Sequence, residues 1–508
     1  MLKTFLITAL CCGDIFMPKT SNKFKEIKSA RNFLDPHFTE GHKGIVQLFE
    51  WKWNDIASEC ETFLSLMGYG GVQISPPNEN VIIYNRPWYE RYQPISYLIK
   101  TRSGDEKSFL DMTQRCNKVG VRIYVDVVIN HMAADQPSKT AVGTGGSNAK
   151  PDIRDYPFVP YNVTNFHPPC PLIDFNDRYQ VRNCELVGLH DLNQTIEDTR
   201  NKIVGYLNHL IDLGVAGFRV DAAKHIWPND LQIIYNRLNF LNTSFGFDAR
   251  LNPFIYQEVF DSGNEAVSKF EYTFAAVTEF RYALELARSF TRNDQLKWLS
   301  GFGGKWGLLP SKYAVVFINN HDTQRSGGVL TYKNGKSFIM AQAFSLSHPF
   351  GTKRIMSSFD FDKVEEGPPN DGKENILSPT FDENGQCNNG WVCEHRWPQI
   401  ASMVEFMNVV DGENITTWWD NGSNQIAFSR GSKGFIVFNL ETDSMKDVLI
   451  QTSLKSGIYC DVASGRKTSN NSCSGKKLIV SSEGLISIDL QSDDLNGFIA
   501  IHTKQKLD

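Results

Sequence analysis

Val215-Ala-Gly-Phe-Arg-Val-Asp221 is an apolar run carrying one arginine and closed by one acid. Read as a strand, its pleat sets Val215, Gly217, Arg219 and Asp221 on one side and Ala216, Phe218 and Val220 on the other. The charged pair then sits at a strand tip. Immediately upstream, residues 196–213 place Ile203, Val204, Leu207, Leu210 and Ile211 at helical spacing, and Gly214 follows where a C′ glycine belongs. A helix feeding a strand is half of a βαβ unit.

Three more apolar runs end the same way: Asp126-Val-Val-Ile-Asn-His131, Phe254-Ile-Tyr-Gln-Glu258 and Phe317-Ile-Asn-Asn-His-Asp322. Strands that deliver carboxylates at their C-terminal tips are what a parallel β/α barrel uses to build one active site. Strands are expected at 44–51, 71–76, 121–130, 215–221, 252–260, 275–280, 313–320 and 352–359. The expected fold class is α/β, a (β/α)8 TIM barrel.

Residues 132–198 interrupt the rhythm with Pro, Asn, Gly and Asp, so they read as a domain inserted after the third strand. From 415 the pattern turns to short alternating runs such as Gln425-Ile-Ala-Phe and Gly434-Phe-Ile-Val-Phe, the mark of a C-terminal antiparallel β-sandwich with Greek-key order. The barrel domain therefore spans 35–131 and 199–414, and the last domain 415–508.

Composition narrows the function. Across 508 residues, 41% are hydrophobic and 21% charged, and the net charge of -5 offers no basic face for nucleic acid. Lys3 and the apolar stretch 5–12 read as a signal peptide, residues 1–13, too short to span a membrane. A secreted, extracellular chain with no membrane partner follows, and residues 14–34 are left without assignment. Of ten cysteines two lie in the leader; Cys60, Cys116, Cys170, Cys184, Cys387, Cys393, Cys460 and Cys473 form an even set without a Cys-x-x-Cys pair. Short loops favour Cys170 with Cys184, Cys387 with Cys393 and Cys460 with Cys473, which leaves Cys60 for Cys116, buried free thiols being the other reading. Sequons stand at Asn162, Asn242, Asn414 and Asn421.

Asp221, Glu258 and Asp322 converge at the barrel mouth. Glycoside hydrolysis needs two carboxylates of different pKa, one protonated and one ionised. Arg219 beside Asp221 favours ionised Asp221, while Phe254, Ile255 and Tyr256 before Glu258 favour a desolvated, protonated acid. Trp88, Tyr89 and Tyr92 offer flat faces to sugar rings, with Gln93 beside them.

These segments resemble the four motif regions of the α-amylase family, and their detail resembles its animal, chloride-dependent members. The likeness runs from about Asp35 onward through Arg86-Pro-Trp-Tyr-Glu-Arg-Tyr-Gln-Pro94, Asn130-His131, Lys224-His225, Gln257-Glu-Val259, Asn320-His-Asp322 and Trp391-Val-Cys-Glu-His-Arg396. The resemblance implies a secreted, monomeric, endo-acting α-1,4-glucan hydrolase that retains anomeric configuration. Asp221 would be the nucleophile, Glu258 the general acid and base, and Asp322 the third carboxylate. Trp88, Tyr89, Tyr92, Gln93, His131, Lys224, His225 and His321 would contact the glucan. Calcium would take Asn130 and Asp191 side chains with Arg182 and His225 backbone oxygens, although Asp191 also suits a cap for the 196–213 helix. Chloride would take Arg219, Asn320 and Arg354. Tyr89 departs from the second tryptophan of many relatives, Ser326-Gly-Gly328 starts a shortened glycine-rich loop, and Lys100 replaces a cysteine of vertebrate members. A related α-glucosidase, or a carbohydrate-binding relative without catalysis, are the competing readings; the latter should lack part of the acid triad.

Overall fold

The computed structural model describes residues 31–372 and 375–507. The expected signal peptide, residues 1–13, and the unassigned residues up to 30 lie outside these.

Eight strands close a parallel barrel: β1 (Lys43–Leu48), β2 (Tyr69–Ile74), β3 (Arg122–Val127), β4 (Gly217–Val220), β5 (Phe254–Gln257), β6 (Ala276–Thr278), β7 (Ala314–Val316) and β8 (Thr352–Ser357). Each pairs with its neighbours in sequence, and β8 closes on β1. All eight expected strands are there, but most are shorter than expected. The ladder stops at Val220 and Gln257, so Asp221 and Glu258 stand one residue past it. Backbone bonds still reach both residues, from the Asp221 N–H to the Val127 carbonyl at 3.0 Å and from the Glu258 N–H to the Val220 carbonyl at 2.9 Å, and their side chains fill the mouth.

The helix expected before β4 runs Glu197–Asp212, with Gly214 in the left-handed region at φ 90°. Its cap residue is Ile196, so Asp191 is no helix cap; it pairs instead in a two-residue strand, His190–Asp191, against His131–Met132. That small ladder closes the neck of the inserted segment, whose own core gathers Met132, Tyr156, Tyr161, Phe166 and Leu192. On the outer side of β4, Phe218 and Val220 are buried against the helices, while Gly217 is required because a Cβ there would strike the Phe254 carbonyl across the ladder.

Residues 31–34, left without assignment from the sequence, pack on the barrel. Phe33 is 3% exposed, its carbonyl accepts from the Ile255 N–H at 3.0 Å, and the Arg31 guanidinium bonds Asn252 Oδ1 at 2.6 Å. The apolar pair Phe33-Leu34 between Asn32 and Asp35 was the hint of this.

After the helix Pro398–Val409, antiparallel strands form a four-stranded sheet from Ile415–Asp420 onward and a five-stranded sheet. Their inner faces meet over Phe435, Val437, Ile450, Ile486, Ile488 and Ile499. Among the described residues four disulfides form, Cys170–Cys184, Cys387–Cys393 and Cys460–Cys473 as the short loops suggest and Cys60–Cys116 as the pair left over.

Candidate active site

The barrel interior is polar at its upper end. Arg219 is fully buried, and its Nη1 donates to Asp126 Oδ1 at 2.6 Å and to Asp221 Oδ1 at 2.9 Å. Its Nη2 stands 2.6 Å from Glu258 Oε1 in an ion pair. One guanidinium therefore ties together acids from the tips of β4 and β5 and the interior of β3. Below it, Gln73 Oε1 accepts from Tyr256 Oη and Arg354 Nη1, both at 2.9 Å. Tyr92 Oη donates to the other oxygen of Asp126 at 3.0 Å.

Asp221 is 7% exposed and its carboxyl is raised well above the usual range, first by desolvation and then by the charge of Glu258. Arg219 does favour the ionised form, as expected, but burial and Glu258 outweigh it. The arginine is shared by three carboxylates, so its pull on any one is too small to cancel burial. Asp322 is also raised, by desolvation and by the charge of Glu258, with its side chain 43% open to the cleft.

Ala222, just after Asp221, adopts φ 48°, a conformation costly for a residue with a Cβ. The strained turn aims the Ala222 N–H at Glu258 Oε2, 2.8 Å away. Neighbouring strand tips are thus locked to each other by one backbone donor and one guanidinium.

The histidines have fixed tautomers. His225 Nδ1 faces the Val181 carbonyl at 2.7 Å and must donate, which leaves Nε2 an acceptor. His321 Nδ1 accepts from Gln47 Nε2 at 3.0 Å, so its Nε2–H points to Asp322 Oδ2 at 3.2 Å. His131 Nε2 donates to the Tyr92 carbonyl at 3.0 Å and its Nδ1 accepts from Asn130 Nδ2 at 3.2 Å. Burial holds His131 and His225 down at about 4, so both are neutral hydrogen-bonding groups at neutral pH.

A cavity of about 320 Å³ collects Trp88, Tyr89, Tyr92, His131, Asp221, Lys224, His225, Glu258, His321 and Asp322 on one wall system. Of the side chains expected to contact a ligand, only Gln93 is missing from it; its Oε1 accepts from the Ala134 N–H of the inserted segment at 3.3 Å. Lys224 lines the cavity but is paired with Glu265 at 2.9 Å. The sequence reading missed Phe260 and the 186–189 loop, where Val187 takes φ 47° at the rim. A β-branched residue in that conformation carries no local sequence signal. Phe260, two residues past Glu258, could have been found from its position.

Comparison with known proteins agrees with this geometry. Residues 63–298 match the α-amylase catalytic domain, and residues 418–503 match the α-amylase C-terminal all-β domain. An α-amylase of Tenebrio molitor is 54% identical over 93% of this chain and 100% of its own length. The chain belongs to the α-amylase family. An α-amylase-related protein of Drosophila pseudoobscura pseudoobscura is 52% identical over 93% of this chain and 96% of its own. Among solved structures, a point mutant of α-amylase I from Eisenia fetida in complex with maltohexaose superposes with a TM-score of 0.88 at 39% identity, covering 93% of this chain and 99% of that one. As an α-amylase of glycoside hydrolase type, the chain carries its family's two domains in the expected order, a catalytic barrel and an antiparallel β domain.

Two groups of residues fit ions that the family uses. Asn130 is buried, its amide is turned so that Nδ2 faces His131, and its Oδ1 has no hydrogen-bond partner. With the buried carboxylate of Asp191 this leaves hard oxygens for a cation. Among the described residues no cluster of three His, Cys, Asp or Glu forms a metal site, so such a cation would depend on amide and backbone oxygens. In the barrel interior, Nε of Arg219 and both Nε and Nη2 of Arg354 are buried without a hydrogen-bond partner. Asn320 Oδ1 accepts from Asp322 N, Thr323 N and Thr323 Oγ1, which leaves its Nδ2 as the free side of the amide. Donors without acceptors are what an anion requires. Burial draws the Arg354 guanidinium down to about 10, with Arg219 adding to the effect against the opposing pull of Tyr256, Asp126 and Glu258.

Proposed function

We propose that the chain is a secreted, endo-acting α-1,4-glucan hydrolase that works by retaining double displacement, acting as a monomer. The observation that carries this reading is Asp221 and Glu258 held by the two nitrogens of one buried guanidinium, with Asp322 lining the same cavity. Retaining enzymes need two carboxyls about 5–5.5 Å apart on one scissile bond. In the first step Asp221 attacks the anomeric carbon while Glu258 gives its proton to the leaving oxygen. In the second, Glu258 takes a proton from water, which displaces Asp221 from the glycosyl-enzyme.

Desolvation and mutual repulsion disfavour two charges on this pair, so a proton stays within it. Asp322 and the acceptor Nε2 of His225 suit sugar hydroxyls, and Trp88, Tyr89 and Tyr92 suit sugar faces. Lys224 would hold a hydroxyl at the cavity edge, His131, with both ring nitrogens engaged by Tyr92 and Asn130, would line the subsite with its ring, and His321 would orient Asp322 through its Nε2–H. Gln93 would act from behind this wall, through the inserted segment.

Asn130 and Asp191, with backbone oxygens of Arg182 and His225, would hold calcium and fasten the inserted segment to the barrel. Arg219, Asn320 and Arg354 would hold chloride, whose negative charge beside Glu258 disfavours ionising that acid. Secretion is supported by the four disulfides, which persist in oxidising compartments. No described helix is long and apolar enough to cross a membrane.

Digestion of long amylose, with products sized and their anomeric form read by NMR, tests the reading. Short oligosaccharides released early in the α form are expected. Glucose as the first product would favour a pocket enzyme, and β-anomers would remove the double displacement. At neutral pH, adding chloride to enzyme dialysed into halide-free buffer is expected to raise the rate severalfold. Equal rates with and without halide would remove the anion from the scheme while leaving the hydrolase intact.

A further inference from the structure

The catalytic cavity does not end at Tyr89. That residue also lines a second, larger groove of about 810 Å³, whose walls are the 84–89 loop on one side and residues 360–370 on the other. Tyr84 stands in this groove with 90% of its surface exposed, the most open tyrosine among the exposed large apolar and aromatic residues described. An aromatic ring left in water beside an active-site cleft costs burial that folding could have used, so a ligand that covers it is favoured.

The walls are rigidly joined to the catalytic centre. The Val364 carbonyl accepts from Trp88 Nε1 at 3.0 Å and from Arg325 Nε at 3.1 Å, and Arg325 Nη1 donates to the His321 carbonyl at 2.8 Å. On the opposite wall, Glu90 pairs with Arg86 at 2.8 Å and accepts from the Ile83 N–H at 3.2 Å, bracketing Tyr84. Asn85 and Arg86 both take positive φ, 64° and 48°, which turns the chain sharply and leaves the Tyr84 ring outside. Gly367 lets the two walls touch, since a Cβ there would strike the Arg86 carbonyl. Exposed Asp362 and Glu365 add hydroxyl acceptors along the far wall.

We propose that Tyr84 is the stacking platform of an additional glucose subsite, one that binds a sugar of the chain beyond the ring held at Tyr89. The proposal rests on the glucan-hydrolase reading and deepens it: the groove makes long chains better substrates than short ones. A polymer end can run past Tyr89 into the groove, whereas a trisaccharide anchored at the acids cannot reach it.

The test compares maltoheptaose and a chromogenic maltotrioside as substrates for the full chain and for Tyr84→Ala and Tyr84→Phe. Tyr84→Ala is expected to lower kcat/KM on maltoheptaose about fivefold, through KM, and to leave the maltotrioside rate unchanged. Tyr84→Phe is expected to behave as the parent, because the ring face and not the hydroxyl is used. Equal effects on both substrates, or none on either, would overturn the subsite and leave the hydrolase standing. A Phe variant as weak as the Ala variant would overturn stacking. A parent enzyme that cleaves neither substrate would bring down the hydrolase reading itself.

Discussion

Asp221→Asn lowers kcat on amylose by about ten-thousand-fold, the scale on which loss of a covalent nucleophile is felt. The amide keeps the shape of the carboxylate and can still face Arg219 Nη1, and Arg219 keeps Asp126 and Glu258 as partners, so the fold has no reason to fail. It should be more stable at neutral pH. The Asp221 carboxyl is raised above its ordinary 3.8 by desolvation and by Glu258, so ionising it in the folded state is costly. For an acid whose folded pKa is raised, that cost is present above the folded value and vanishes below about 3.8. The variant's advantage is therefore expected at neutral pH and absent in strong acid. Paired rate measurements and thermal melts across that range check it. An Asn variant that is inactive but also less stable at neutral pH would mean that Asp221 is structural. One that keeps most of the activity would end the double-displacement scheme.

The barrel was legible because each strand is an apolar run with its own breaker, and because Gly214 ends a helix three residues before β4 begins. The acids were legible for the same reason: they sit directly after those runs. The connection between them was not. That Arg219 reaches Glu258 as well as Asp221 depends on the register Arg219 opposite Tyr256 and opposite Asp126, and cross-strand register is not written in any one strand. Asp126, read as the start of a tip motif, is instead a buried partner below it, because β3 continues upward through Val127. The groove at Tyr84 was invisible for a similar reason. Residues 84–89 and 360–370 are far apart in sequence, and they meet only because β2 and β8 both flank β1. Three disulfides needed no register, only short loops, and the fourth, Cys60–Cys116, closes a separation of 56 residues and was what remained.

Arg219→Met is expected to be the most destabilising single change in the site, by about 3–5 kcal/mol, although methionine nearly matches the length of the side chain. Three carboxylates lose their common cation while one of them, Asp126, is wholly buried. Packing is nearly conserved, so the loss is electrostatic, and its pH dependence has a definite sign. Asp126 and Asp221 are raised above 3.8 by burial even with the guanidinium in place, and without it they rise further. An acid held protonated by the fold takes up a proton that the unfolded chain releases, so stability falls as pH rises above 3.8 and recovers as pH is lowered toward it. The gap between variant and parent should thus be widest at about pH 8 and narrower at about pH 5. Urea unfolding followed by tryptophan fluorescence at both values measures it. A gap that stays constant, or widens in acid, would show that Arg219 matters as packing. Arg219→Lys discriminates further: an ammonium restores charge but has no fork, so it can recover part of the stability while failing to hold Asp221 and Glu258 together. Activity should then remain lost even where the fold is regained, which separates the arginine's role in neutralising the barrel from its role in aligning the two acids.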